Sequence, residues 1–178
     1  MKKFALLTVL LFTAATLTSA QMAQDKSKRP SPPASAQCKF SDGKTVKVDY
    51  SSPRMKGRKI FGGLVPSGEV WRTGANEATT LVTDANLIVG GANVPAGSYT
   101  IFTVPNTDKW VLIVNKKTGE WGIPYKYEAD ELARVDMKVG RIADPVENFT
   151  ITFEGEGSSC TMILRWENTR ASVDIVKK

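Results

Sequence analysis

From Cys38 onward the apolar positions recur mostly with a period of two. In residues 45–50, Val46, Val48 and Tyr50 share one face while Lys47 and Asp49 share the other, the pattern of a strand with one face buried. Residues 79–83 and 86–89 are β-branched segments on either side of Asp84-Ala85, and residues 98–104 (SYTIFTV) alternate until Pro105 stops them. Residues 110–114 form a continuous apolar run, as a central strand does. Residues 134–139, 149–153, 161–166 and 172–176 alternate again, with Val135, Met137 and Val139 expected to face inward. Turn chemistry separates these runs at Gly90-Gly91-Ala92-Asn93, Pro95-Ala96-Gly97, 105–108 and Gly155-Glu156-Gly157. The best helical stretch is residues 126–132 (KYEADEL), one or two turns long. The pattern predicts an all-β fold: an antiparallel β-sandwich, jelly-roll-like or related, of roughly eight to ten strands with one long ordered loop.

The N-terminus is built differently. Met1-Lys2-Lys3 is followed by the apolar run FALLTVLLFTAATL and then by the small residues Thr18-Ser19-Ala20, the order of a secretory signal with cleavage after Ala20. The apolar run falls short of the roughly 20 residues of a bilayer span, so an uncleaved anchor is the weaker alternative. Residues 21–37 are rich in Pro, Ser, Ala and Lys and bury little, which predicts a flexible linker; a pro-segment is the alternative. The expected organisation is therefore a signal peptide over 1–20, a linker over 21–37 and a single domain over 38–178. The expected location is outside the cytoplasm, either the periplasm or the medium.

Composition sharpens this picture by exclusion. The chain has 178 residues, no histidine and two cysteines. A Ser-His-Asp triad, a Cys-His pair and a histidine zinc site are impossible without histidine, and two cysteines cannot supply a four-Cys zinc or iron–sulfur site. No calcium-loop spacing occurs either, so neither a metal nor a cofactor is expected. Without Lys2 and Lys3, 22 basic residues stand against 18 acidic ones, a net charge of +4 that gives no argument for nucleic acid. In an exported chain Cys38 and Cys160 are expected to pair as a disulfide, with two buried free thiols as the alternative.

Residues 52–80 break the alternation for almost thirty positions. The segment is rich in glycine and cations yet carries Ile60, Phe61, Leu64, Val65, Val70 and Trp71, which predicts an ordered loop pinned onto the strands. Its string GRKIFGGLVPSGEVWRTGANEATTL, followed by VPAGSYTIFTVP and WVLIVNK, resembles a bacterial exported family known as domain of unknown function 2911. The resemblance covers roughly residues 38–176. It implies export and an all-β fold, and brings neither an activity nor catalytic residues.

The candidate site residues come from the residues themselves. Arg58, Trp71, Arg72, Asn76 and Glu77 would suit a small polar or anionic ligand: guanidinium forks match carboxylate or phosphate, the amide donates and accepts, and the indole is a platform for sugars. A glycan is the leading ligand class. The competing expectation is an internal Arg72–Glu77 ion pair that holds the loop, with Asn76 in a turn. The basic knot Arg54, Lys56, Arg58 and Lys59 is either a contact for an anionic polymer or membrane surface, or a solvated loop face. Trp121 and its neighbours up to Tyr127 would form a second aromatic rim near the first loop. Three functions compete: a ligand- or envelope-partner-binding domain using residues 54–80, a histidine-independent glycan hydrolase with Glu77 as acid or base, and a purely structural envelope protein.

Overall fold

A computed structural model describes residues 25–178 of the chain; the expected signal sequence and residues 21–24 lie outside the described residues. Nine strands follow in order: β1 Pro33–Lys39, β2 Thr45–Ser51, β3 Thr80–Thr83, β4 Leu87–Val89, β5 Ala92–Val94, β6 Gly97–Val104, β7 Lys109–Asn115, β8 Glu131–Glu154 and β9 Ser159–Lys177. All neighbours pair antiparallel in one sheet of order β1-β2-β3-β6-β7-β8-β9-β4-β5. The expected all-β class and strand number hold. The helical stretch is a single 3-10 turn, Glu128–Asp130.

Two boundaries differ from the sequence reading. β1 begins at Pro33, inside the segment read as a linker, and pairs with β2 from Pro33–Ser51 to Lys39–Thr45. Ahead of it, Lys26–Lys28 form a 3-10 turn capped by the Asp25 carboxylate, which accepts from the Ser27 amide. Low apolar content did not leave this segment free, because backbone pairing with β2 replaces the missing side-chain burial.

The second difference lies in β8 and β9, where each pair of expected strands is continuous. A straight strand of 19 residues would span about 60 Å. The ends of β9 nevertheless meet, since the Lys177 amide donates to the Ser158 carbonyl at 2.8 Å and Thr161 Oγ1 bonds Asp174 Oδ1 at 2.8 Å. β9 therefore doubles back, and the reversal falls at Glu167, a non-glycine residue at φ 52°. The β8–β9 register shifts at the same level, around Arg141, Val146 and Thr150. This bend brings β8 to the end of β2: Phe149 N donates to Pro53 O and Met55 N to Glu147 O, both at 2.9 Å. The sheet curls around its core without a ladder closing it.

The main core draws on all nine strands, with Cys38, Val48, Leu81, Leu87, Val94, Ile101, Leu112, Ile151 and Trp166 one from each. β6 and β7 are buried on both faces. Their second face carries Phe102 and Ile113 into a smaller cluster with Ala78 and Tyr127, against which Val70 and Tyr125 pack. That cluster is the bed on which the long loop and residues 121–127 lie. The loop enters the sheet itself where β3 stops: Trp71 and Thr103 exchange backbone hydrogen bonds of 2.7 and 2.9 Å beyond the β3–β6 ladder. Cys38 and Cys160 are both buried, with their sulfurs in contact; burial, and then the neighbouring Cys38, push the Cys160 thiol up.

Candidate functional site

The extended backbone at residues 71–72 sends successive side chains to opposite sides. Trp71 goes to the main core, stacked on Trp166 at 5.9 Å between centroids and edge-on to Phe149 at 4.9 Å, with its indole N–H donating to Gly74 O at 3.0 Å. Arg72 goes to the second face, under residues 121–125. Its Nη1 donates to the carbonyls of Asn76 and Trp121, the latter at 3.1 Å, and its guanidinium carbon lies 5.1 Å from the Trp121 ring centroid. Thr73 and Asn76 adopt left-handed φ values of 55° and 58° to turn the chain, and Thr79 Oγ1 fastens the turn to the Thr73 carbonyl at 2.7 Å.

Close approach of the second rim requires a glycine. Gly122 has φ 95°, and a Cβ there would sit 2.9 Å from Ala78 Cβ and 3.2 Å from Arg72 Cβ. Beyond it, Tyr125 donates to Glu131 at 2.5 Å while Arg134 grips the same carboxylate with two bonds of 2.7 Å. Arg134 first, then Tyr125, hold the Glu131 carboxyl below its usual range; burial, and then Glu131, push the Tyr125 hydroxyl up. Asn115, fully buried, donates to Tyr127 O at 2.7 Å and accepts from Lys117 N at 2.8 Å.

Between the two rims lies a cleft of about 710 Å³. Its walls include Leu64, Val70, Trp71, Trp121, Ile123 and Tyr125, with Arg72 and Asn76 at one side and Glu69 and Glu128 among its lining residues. Arg72 is only 9% exposed and, among the described residues, has no carboxylate within ion-pair distance. Burial alone lowers its affinity for the proton. Nη1 is occupied by the two carbonyls; Nε and Nη2 have no partner among the described residues, yet neither is a buried orphan. Arg72 lines the cleft, and the Nε–Nη2 edge is the edge of a guanidinium that matches a carboxylate in two parallel bonds.

Residues 31–175 match a family described as a protein of unknown function, DUF2911. The chain belongs to this family. No curated protein and no solved structure matches it. The matched segment of this DUF2911 domain holds the whole cleft.

Of the five expected site residues, the fold brings Trp71, Arg72 and Asn76 together at the cleft. Arg58 is elsewhere and exposed, its guanidinium turned back onto the carbonyls of Met55 and Arg54 at 2.9 and 2.6 Å. Glu77 is elsewhere too, and the expected Arg72–Glu77 pair does not form. Glu77 instead accepts from Arg29 at 2.8 Å and pairs with Lys26 at 3.1 Å. Its own backbone amide first, then Lys26 and Arg29, lower its carboxyl pKa to about 2. Asn76 donates to the Ser31 carbonyl at 3.0 Å, so residues 26–31 are strapped beside the cleft rather than tethered loosely. Asn76 does occupy the expected turn. Sequence reasoning placed Leu64 in the pinned loop and Ile123 in the second rim without naming either as a site residue, and it passed over Arg29; only the opposite charges of residues 26–29 and Glu77 could have signalled the strap.

A second cleft of about 780 Å³ lies on the other side of residues 60–68, lined by Lys59, Phe61, Asn106, Trp110, Arg141 and Glu167 among others. Glu167 accepts from the amides of Ile60 and Phe61 at 3.5 Å each, so its carboxylate faces the loop that divides the two clefts. Among the described residues, no group of three or more Cys, Asp and Glu side chains gathers to hold a metal ion.

Proposed function

We propose that the protein is an exported binding domain whose Arg72 cleft takes a small organic anion. The observation that carries this reading is Arg72, a cleft-lining residue that is nine-tenths buried and has, among the described residues, neither a carboxylate partner nor any bond to its Nε and Nη2. Buried charges are ordinarily paired, since removing an ion from water costs several kcal/mol that only a counter-charge and hydrogen bonds offset. Two carbonyls and the Trp121 face satisfy part of that need. An anionic ligand group would satisfy the rest.

The anion is favoured over the glycan named first from sequence. A sugar presents hydroxyls all round, whereas the cleft walls are mainly aliphatic and aromatic, and the Asn76 amide is already donating to Ser31. Export is supported by the cationic start, apolar run and small residues of positions 1–20. The hydrolase reading finds no support at Glu77, which is ionised by two cations outside the cleft lining.

Thermal shift and calorimetry with organic carboxylates and with neutral oligosaccharides test the reading, because a ligand that binds only the folded state raises Tm. Carboxylates should raise Tm, and Arg72→Lys should weaken them about tenfold by removing the bidentate fork. Sugar binding that survives Arg72→Lys, with no response to any anion, would refute it.

A further inference from the structure

Among the described residues five large hydrophobic side chains are exposed, and three of them, Leu64, Trp121 and Ile123, line the Arg72 cleft. Trp121 is 55% exposed, Leu64 47% and Ile123 44%, and they come to the same cleft from two separate segments of the chain. Scattered surface hydrophobics need no explanation, but their convergence on one concavity is the usual mark of a binding surface. The same opening includes Glu69 and Glu128, both exposed. Two carboxylates near the mouth repel a ligand that brings several negative charges and tolerate one that brings a single charge to Arg72.

Resting on the anion-binding reading above, we infer that the ligand is an amphipathic monocarboxylate, an acid with an alkyl or aryl body. Its carboxylate meets the Nε–Nη2 edge of Arg72, and its body lies against Leu64, Trp121 and Ile123. Each part has a separate cause. The guanidinium edge selects a planar two-oxygen head, the apolar rim takes the body out of water, and the mouth carboxylates discriminate against phosphates and polyanions. Trp121 links the two parts: its carbonyl and ring face hold the guanidinium while it also lines the cleft.

Calorimetry on the purified protein with a linear series from acetate to decanoate, together with 3-phenylpropionate and inorganic phosphate, tests the inference. Affinity should rise about fourfold per buried methylene along the series, until the chain outgrows the rim. Phenylpropionate should bind and phosphate should not. The double variant Leu64→Ser, Ile123→Ser changes only exposed side chains and leaves the Trp121 ring on Arg72, so it should keep the fold by circular dichroism while flattening the chain-length dependence. Arg72→Lys should instead lower the whole series together. Equal binding of acetate and decanoate, or a preference for phosphate, would overturn the amphipathic ligand while leaving an anion site. Silence from every anion would overturn both readings. An undiminished chain-length dependence in the double variant would place the body elsewhere and overturn the inference.

Discussion

Neutralising Glu77 tests whether residues 26–31 are a strap rather than a tether. The carboxyl pKa falls from an ordinary 4.5 to about 2, with the Glu77 amide, Lys26 and Arg29 all favouring the charged form. Taken whole, a shift of that size would be worth about 3 kcal/mol at about 1.4 kcal/mol per pKa unit. The Glu77 side chain is 42% exposed, however, and Lys26 59%, so solvent screening reduces the contribution to about 1 kcal/mol. The depressed pKa sets the sign: the stabilisation is full above the unfolded value near 4.5 and is lost as pH falls towards 2. Glu77→Gln should therefore lower Tm by about 2–4 °C at pH 7 for a domain of this size. Near pH 2 the variant and the native protein should converge. Scanning calorimetry at both pH values measures this, and hydrogen exchange should show faster amide exchange at residues 26–31 in the variant. Equal Tm values at pH 7, or a difference that persists at pH 2, would refute the strap.

Four other outcomes follow from the same contacts. Gly122→Ala places a methyl group on Ala78 Cβ at a left-handed φ, and should destabilise by about 1–3 kcal/mol in denaturant titration while weakening carboxylate binding. Asn115→Ala leaves the buried Tyr127 carbonyl without its side-chain partner, at a cost of about 1–3 kcal/mol; an unchanged midpoint would show the network to be dispensable. If the chain is exported, Cys38 and Cys160 should pass two electrons to an external disulfide and form a bond closing a loop of over a hundred residues, worth about 4–5 kcal/mol. Thiol titration of the unfolded, unreduced protein should then find no free thiol, and two free thiols would overturn it. N-terminal sequencing of the protein from a periplasmic fraction should begin at Gln21; retention of residues 1–20 in a cytosolic fraction would contradict export.

Much of the fold was legible because strand patterning is local. Val46, Val48 and Tyr50 alternate in sequence and are buried together, and Pro105 follows directly on the last residue of β6. The continuous apolar run at residues 110–114 marked a central strand, and β7 is indeed flanked by β6 and β8. The doubling of β9 was not legible: Trp166-Glu167-Asn168-Thr169 contains no glycine or proline, and the reversal relies on a strained Glu167 held by its sheet partners. Nor was the role of β1, since Pro33-Ala34-Ser35-Ala36 has almost no side-chain signal and is ordered by backbone pairing.

The site divides along the same line. Sequence alone marked residues 54–80 as ordered, because glycine supplies the turns while buried aliphatic and aromatic residues anchor them, and it picked out Trp71, Arg72 and Asn76. Which charge met which was decided by the tertiary structure. Arg72 and Glu77 are five positions apart, close enough to pair in many loops, but the left-handed turns at Thr73 and Asn76 direct them apart. Glu77 then meets Arg29, 48 residues away, while Arg72 is covered by Trp121. Periodicity reports the solvent on one side of a strand; it carries no record of the distant segment that comes to lie on a buried cation. The buried Arg72, with no carboxylate partner among the described residues, and the apolar rim around it exist only once those two segments have packed.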